Sequence, residues 1–239
     1  TNGWGFQIAF PPAAVEPPDG LRAVHWDGTT VTDLQPVRWD GTTAHPLTLA
    51  TVTGLTPIDA LLAATPFYIS HRTGGGDWPE FSARGITESL ARGYKAVELS
   101  VYRCQTGEFV CSHDWTTTRM TGEAHEIWQT TWAVLSGLTS TAENTSDPAQ
   151  SRTPLLRLTD ALALLPDDVV IFLDHKDTSA ETGDAGKIAS RDALLDWLDL
   201  DPANVGRVVW KAFKGGHVGA DAARARGYRS WGIYYGSEI

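Results

Sequence analysis

The sequence has few cysteines, little clustered positive charge and no long hydrophobic run. Its 239 residues include 2 cysteines, and its formal net charge is -10 at pH 7. Two thiols are too few for a thiolate zinc site or a disulfide scaffold. Without clustered Lys and Arg, no nucleic-acid partner is expected. The longest apolar runs, such as residues 169–173, are far shorter than the roughly 20 residues of a spanning helix, so no transmembrane segment is predicted.

The composition predicts an ordered protein. Hydrophobic residues make up 42% and charged residues 20% of the chain. This length and composition suit one large domain, or a medium domain with an appendage. The chain begins Thr-Asn-Gly, with no cationic start followed by an apolar stretch, so no signal peptide is visible and a fragment of a longer protein is one interpretation.

Residues 1–56 contain a doubled unit. The segment VHWDGTT, which begins at Val24, recurs as VRWDGTT, which begins at Val37. An Asp-Gly pair after an aromatic and a β-branched residue is a hairpin signal, so we expect a β-rich segment with two short β units. Either a linker or a ligand-binding module fits this pattern. The unit resembles segments of minor tail proteins from phages that infect actinobacteria, which implies a virion tail or extracellular location and other tail proteins as partners.

From residue 57 to residue 239 the pattern alternates between strands and helices, which predicts an α/β fold with parallel strands. The predicted helices are 57–64, 86–92, 158–165, 191–198 and 220–226. The predicted strands are 67–70, 96–102, 109–112, 169–173, 207–210 and 231–235. The 109–112 strand would be an accessory hairpin arm, which leaves five main strands. Because a TIM barrel needs eight, we expect a partial barrel that is truncated after about five strands or completed from elsewhere.

Polar residues stand at the ends of three predicted strands. They are His71-Arg72, Glu98 and Asp174-His175-Lys176. In barrels of this kind the carboxyl ends of the strands share one face, so these groups should converge there.

The residue types at these ends suit phosphodiester chemistry. That reaction needs a cation for the phosphate, a base for the nucleophile and an acid for the leaving alkoxide. His71 and His113 are the acid and base candidates, and Glu98 and Asp174 offer hard oxygen ligands to a divalent metal. The cationic candidates for the phosphate are Arg72 and Lys176.

In this order the motifs resemble the glycerophosphodiester phosphodiesterase family, whose pattern runs His-Arg-Gly, Pro-Glu-Asn, Glu-Leu-Asp-Val, His-Asp and Glu-Ile-Lys on successive barrel strands. The matching motifs here are His71-Arg72, Pro79-Glu80, Val97-Glu98-Leu99, His113-Asp114 and Asp174-His175-Lys176. The resemblance implies a metal-dependent TIM barrel that uses Ca or Mg. It assigns catalysis to His71 and His113, substrate binding to Arg72 and Lys176, and metal binding to Glu98.

Three positions depart from the family pattern. Ser100 stands where the family has a metal-ligating Asp, Asp174 stands where it has a Glu, and Thr73 stands where it has a Gly. A neutral hydroxyl is a poor ligand for a hard cation. The predicted metal ligands are therefore Glu98, Asp174 and a weak Ser100, and the activity of such a site would be weakened or lost.

The sequence thus predicts a phosphoric diester hydrolase that acts on small or polymeric phosphodiesters, such as deacylated phospholipid or cell-wall teichoic acid. The alternative is a catalytically weakened barrel that serves as a cell-wall-binding or structural module of a phage tail. A related metal-dependent phospholipase is a third interpretation. Glu80 and Asp114 are expected to support the site, and His175 is expected to be structural because it points to the opposite face of its strand.

Overall fold

The computed structural model describes residues 55–64, 66–74, 76–142, 152–176, 179–213 and 217–233, together with four short strands between residues 24 and 46. The chain divides into two compact units, Thr1–Gly54 and Leu55–Ile239.

The first unit contains two antiparallel hairpins. Strand β1 (Val24–Trp26) pairs with β2 (Val31–Asp33), and β3 (Val37–Trp39) pairs with β4 (Ala44–Pro46). The doubled unit therefore forms two short β units, as the sequence predicts. The Asp-Gly pairs at residues 27–28 and 40–41, which were predicted to form the turns, lie outside the described residues.

The second unit is built on a five-stranded sheet. Its strands are β5 (Ala96–Arg103), β6 (Phe109–Cys111), β9 (Val170–His175), β10 (Val208–Phe213) and β11 (Arg229–Ile233). They lie in the order β11-β10-β9-β5-β6. The four strands from β11 to β5 are parallel, and β6 is antiparallel to β5, so the predicted parallel sheet and accessory arm are both present. The described strands form an open sheet rather than a closed barrel.

The predicted strand 67–70 was too long. Only Ser70 pairs with the sheet, in a parallel bridge with Val97. The Ser70 amide donates to the carbonyl of Ala96 at 2.9 Å, and its carbonyl accepts from the amide of Glu98 at 3.0 Å. Pro66 precedes this segment and cannot donate a ladder hydrogen bond. The chain therefore meets β5 at a single point, directly before His71.

Helices flank the sheet. In chain order they are α1 (Pro57–Ala63), α2 (Ala83–Ala91), α3 (Thr118–Thr121), α4 (Trp132–Leu135), α5 (Leu158–Ala163), α6 (Ser179–Leu198), α7 (Asn204–Arg207) and α8 (His217–Ala225). The five predicted helices are present, and α6 begins earlier than predicted. The short α3, α4 and α7 were not predicted, since each is a single turn. A further two-stranded pair consists of β7 (Thr139–Ser140) and β8 (Thr153–Pro154).

Local signals explain where two of these helices begin and end. Thr56 caps α1 by accepting a hydrogen bond from the amide of Asp59, and Pro57 occupies the first turn, where its missing N–H has no cost. Helix α2 begins after Ser82, whose hydroxyl accepts from the amide of Gly85. It ends before Gly93, whose φ of 83° is the predicted left-handed stop.

The two faces of the sheet differ. The outer face is the one that carries Leu99, Ile171 and Leu173, and the large apolar core on it also includes Leu194 and Leu195 of α6. On the inner face a smaller cluster, formed by Ala96, Val170, Phe172 and Val209, packs against Ile58 and Leu61 of α1 and fills the amino-terminal end. Buried charged side chains, Glu98, Asp174 and Lys211, follow further along the same strands. The inner face therefore changes from apolar to charged towards the carboxyl ends of its strands.

Both cysteines, Cys104 and Cys111, are buried free thiols. Burial raises the pKa of Cys111, so this thiol is protonated and unreactive near neutral pH. None of the helices in the described part of the chain has the length and hydropathy of a membrane span.

Candidate active site

The first part of the site is the tight turn His71–Thr73, which follows the Ser70 bridge. Arg72 and Thr73 both have left-handed backbone conformations, with φ of 52° and 53°. The amide of Phe81 donates to the carbonyl of Arg72 at 2.8 Å and ties the turn to the start of α2. Gly85 of α2 lies so close to the carbonyl of Thr73 that a Cβ atom there would collide with it. Strand β5 and helix α2 thus fix the position of His71 and Arg72.

Glu98, Ser100 and Asp174 meet on the inner face of the sheet. Ser100 and Asp174 are direct partners in the β5–β9 register, and Glu98 lies two residues before Ser100 on the same face. All three are buried. The hydroxyl of Ser100 donates to Asp174 Oδ2 at 3.5 Å. The predicted convergence of the two carboxylates is therefore present in the structure.

Lys211 of β10 lies between these two carboxylates. Its ammonium group donates to Glu98 Oε1 in a very short contact and to Asp174 Oδ2 at 3.2 Å. Its side chain is buried, with a relative exposure of 8%. Sequence reasoning missed this residue because it ended the strand at Trp210. The signal was present: a lone Lys inside the apolar run VVWKAF needs a buried partner, as does Glu98 in its own strand.

Two further predicted residues border this cluster. The His71 ring lies with Nε2 3.5 Å from Glu98 Oε2, and its side chain is largely exposed at the mouth. Lys176, directly after β9, places its ammonium 2.8 Å from Asp174 Oδ2. Glu98 and Asp174 thus hold one imidazole and two ammonium groups in place.

His113 and Asp114 form the second part of the site. The ring Nδ1 of His113 lies 2.8 Å from Asp114 Oδ1. Burial lowers the pKa of His113, and the nearby charges of Lys176 and Arg72 lower it further, whereas Asp114 opposes the shift. Burial acts to raise the pKa of Asp114, but the hydrogen bonds from His113 and Arg119 outweigh it and lower that pKa. His113 is therefore neutral at pH 7, with Arg72 and Lys176 close enough to influence it.

A chain of ion pairs connects this histidine to the first turn. Arg119 of α3 contacts Asp114 Oδ2 at 2.5 Å and Glu80 Oε1 at 2.5 Å. Glu80 is buried and also accepts from Arg72 at 3.2 Å. Glu80 thereby holds two arginines, and the arrangement matches the supporting role expected for Glu80 and Asp114. Sequence reasoning did not assign this task to Arg119.

The other histidine of β9 lies away from the site. His175 Nε2 lies 3.0 Å from the hydroxyl of Ser190 on α6, and its ring stacks near Trp210. It packs between the sheet and a helix on the outer face, as the alternation along the strand predicts.

The residues present do not fit a divalent metal. Ca and Mg require several hard oxygen ligands. In the described residues no group of three or more His, Cys, Asp and Glu side chains could hold a metal ion. The two carboxylates that face each other, Glu98 and Asp174, already accept hydrogen bonds from the ammonium of Lys211. Ser100 adds only a hydroxyl.

The described chain combines parallel β/α topology with acidic, basic and imidazole groups at the carboxyl ends of the strands, which is where barrel enzymes carry their active sites. Residues 71–216 match the model of the glycerophosphoryl diester phosphodiesterase family. This match covers more than half of the chain, so the chain belongs to that family. No curated protein sequence matches it.

Solved structures share the fold. One is the glycerophosphoryl diester phosphodiesterase domain of a Mycobacterium tuberculosis protein, with 22% identity and a TM-score of 0.57, covering 70% of this chain and 59% of that one. A Silicibacter pomeroyi protein of the same description has 20% identity and a TM-score of 0.59, covering 73% and 68%. The Thermotoga maritima glycerophosphodiester phosphodiesterase has 16% identity and a TM-score of 0.53, covering 73% and 65%. The chain thus spans less than two thirds of the first and third of these structures.

Proposed function

We propose that this chain hydrolyses phosphodiester bonds in glycerophosphodiester-like substrates. The observation that carries the proposal is a pair of contact networks among side chains from separate segments. His71, Glu98, Lys211, Asp174 and Lys176 form one half of this pair. The other half runs from Arg72 through Glu80, Arg119 and Asp114 to His113. Lys176 of the first half is close enough to His113 of the second for its charge to lower the pKa of that ring, after the larger effect of burial.

The groups suit an acid–base route. Arg72 and Lys176 attract the anionic phosphate, and Arg72 can offer two parallel N–H donors to its oxygens. His113 is the base: its lowered pKa keeps it neutral, and Nδ1–H bonded to Asp114 leaves the Nε2 lone pair free for a proton. It takes the proton of the attacking water or substrate hydroxyl as the new P–O bond forms. His71 then donates a proton to the leaving alkoxide as the old P–O bond breaks.

A product assay with two histidine variants tests this route. The full chain should release glycerol phosphate or an alcohol from a panel of glycerophosphodiesters, which includes deacylated phospholipids and polymeric glycerol-phosphate teichoic acid. His71→Ala and His113→Ala should each lower kcat by about 10²- to 10⁴-fold, the usual size of a general acid or base contribution. His125→Ala is the matched control, since that histidine pairs with Glu123 outside these contacts. Equal turnover in all four proteins would reject the proposal.

A second candidate is a cell-wall-binding module of a phage tail that binds glycerol-phosphate polymers without turnover. The hydroxyl of Ser100 at the position where the family has a metal-ligating Asp favours it, and the resemblance of the doubled Trp-Asp-Gly unit to segments of phage minor tail proteins motivates the tail context. Calorimetry and a product assay on the same sample separate the two candidates. Tight polymer binding without product supports the module, whereas product formation rejects it.

A further inference from the structure

Lys211 occupies the position between two carboxylates where a cation would otherwise bind. Its ammonium group contacts both Glu98 and Asp174 and is buried with them at the carboxyl ends of β5, β9 and β10. We propose that the Lys211 ammonium is a permanent internal cation of this site, so that phosphate binding and turnover need no divalent metal. The choice of a phosphate ester as the ligand rests on the proposed function. The position of Lys211 between the carboxylates does not depend on turnover.

The charges of the cluster balance with Lys211 in place. Glu98 and Asp174 contribute two negative charges, and Lys211 and Lys176 contribute two positive charges, so these four side chains are formally neutral together. A divalent ion in place of the Lys211 ammonium would add one positive charge. A carboxylate in place of Ser100 would add one negative charge and restore the balance. The serine at position 100 and the lysine at position 211 therefore form a charge-compensated pair.

The carboxylate oxygens that could bind a metal already contact ammonium groups. Lys211 takes up Glu98 Oε1, and it shares Asp174 Oδ2 with Lys176 and the hydroxyl of Ser100. A metal bound to these oxygens would have to displace an ammonium group that is already buried, and it would leave that ammonium group beside a divalent charge. Both steps are costly, because a buried charge needs its partner. The geometry therefore opposes metal binding.

The cluster lies beside the groups proposed to bind and hydrolyse the phosphodiester. Glu98 also contacts the exposed ring of His71, and Asp174 contacts Lys176, one of the two cations proposed to face the phosphate. A lysine with only a packing role would not need to lie among these charged groups. At this place Lys211 neutralises the carboxylates and keeps the mouth attractive to an anion.

Calorimetry on the full chain tests the inference directly. Glycerol 3-phosphate and inorganic phosphate are titrated into wild-type protein in EDTA, in CaCl₂ and in MgCl₂, and each metal salt is also titrated alone. We expect the phosphate-ester affinity to agree within about twofold across the three conditions, a small change on the affinity scale. We expect no metal to bind at this cluster. Binding there would be recognised by its loss in the Glu98→Gln variant.

Variants of the lysine provide the second test. Lys211→Met keeps the aliphatic length without the charge, and it should lower the affinity for glycerol 3-phosphate at least about tenfold. In the Ser100→Asp/Lys211→Met double variant, Ca or Mg should bind and restore that affinity, and the metal should raise its Tm while leaving the wild-type Tm unchanged. Lys95→Met is the matched control, because this lysine forms an exposed pair with Asp168 away from the cluster. If Lys211→Met does not fold, the wild-type titrations still decide.

The outcomes separate this inference from the proposed function. Metal binding that depends on Glu98, or phosphate-ester binding that requires metal or fails in all conditions, overturns the role of Lys211. An unchanged affinity in Lys211→Met also overturns it. Metal-independent binding without any turnover supports Lys211 and rejects hydrolysis. Turnover that EDTA abolishes and Ca restores supports hydrolysis and rejects Lys211 as the internal cation.

Discussion

Single residues set the protonation state of His113. Burial lowers the pKa of its ring most, and the charges of Lys176 and Arg72 lower it further, while the hydrogen bond with Asp114 raises it by less than this. Because the folded-state pKa lies below the ordinary value of about 6.5, the unfolded chain binds more protons as the pH falls through 6.5. His113 therefore contributes to stability above that pH, and this contribution is lost under more acid conditions. Turnover that uses neutral His113 should likewise persist somewhat below pH 6.5.

Asp114→Asn should lower the pKa of His113 further. The variant removes the negative charge that favours the protonated ring and leaves only a neutral amide oxygen as acceptor, while burial, Lys176 and Arg72 remain. A chemical-shift titration of the imidazole measures the change, and kcat should fall because a neutral amide stabilises the imidazolium formed during proton transfer less than the carboxylate does. Glu123→Gln, which removes the carboxylate beside His125, is the control. An unchanged His113 titration in Asp114→Asn would contradict the described contact.

Thr73→Gly should stabilise the protein. Thr73 is fully buried, has a left-handed backbone, and its Oγ1 has no hydrogen-bond partner among the described residues. The left-handed conformation costs about 1–2 kcal/mol, and an unpaired buried hydroxyl costs about 1–3 kcal/mol. Glycine gives back about 0.5–1 kcal/mol in backbone entropy and about 0.8 kcal/mol for the lost methyl group.

The net gain for Thr73→Gly is therefore about 1 kcal/mol, which corresponds to a rise in Tm of about 2–4 °C for a domain of this size. Thr73→Ala removes the hydroxyl but keeps the Cβ, so it should gain less. Calorimetric unfolding measures both. A Tm of Thr73→Gly below that of wild type would show that the backbone strain is absent or that Thr73 packing outweighs it.

At the scale of elements, helix α2 positions the turn that carries His71 and Arg72. A Cβ on Gly85 would collide with the carbonyl of Thr73 and would lie 3.1 Å from the carbonyl of Pro79. Both atoms belong to the backbone and cannot rotate away. The start of the helix and the turn must therefore fit closely, and glycine is the residue that allows this approach.

Gly85→Ala should push α2 away from this turn. We expect a loss of stability of about 1–3 kcal/mol, the usual cost of overpacking, and a lower kcat because His71 and Arg72 move. Denaturant unfolding and the product assay measure the two effects. Gly137→Ala is the control, because a Cβ added at Gly137 would lie an ordinary 3.4 Å from its nearest neighbour, the carbonyl oxygen of Val134. Equal stability of the two variants would show that α2 does not fix the turn.

At the scale of the whole molecule, the net charge of -10 governs long-range encounters. Its positive groups at the site are already paired with carboxylates, so the molecule as a whole repels anionic surfaces. A small phosphodiester can reach the local cations, whereas an extended anionic bilayer meets the whole negative molecule.

The full chain should therefore remain in the supernatant when it is sedimented with vesicles rich in anionic lipid at an ionic strength of about 0.15 M, where the screening length is about 8 Å. Zwitterionic vesicles serve as the comparison. Sedimentation that is specific to anionic vesicles and is reversed by added salt would contradict this prediction and would favour a membrane-bound substrate, as the phospholipase interpretation requires.

Much of the architecture follows from the sequence alone. Short apolar runs located the parallel strands and helical patterns located the longer helices, because a strand covered on both faces is apolar throughout and a helix on the sheet is apolar on one side. Polar residues at strand ends, such as Glu98 and Asp174, indicated the inner face for the same reason. The pattern did not locate the end of β10 or the single bridge at Ser70, since boundaries depend on tertiary hydrogen bonds.

Tertiary structure decided the chemistry of the site. Lys211 lies 113 residues from Glu98 and 37 residues from Asp174 along the chain, and only the sheet register brings its ammonium between them. Arg119 likewise reaches Glu80 and Asp114 through the placement of α3. The motifs show which charged side chains the chain contains. Whether two of them are in contact depends on distances of a few ångströms between separate strands. The sequence alone determined the family motifs and the serine at position 100, whereas the three-dimensional packing determined which cation faces the two carboxylates.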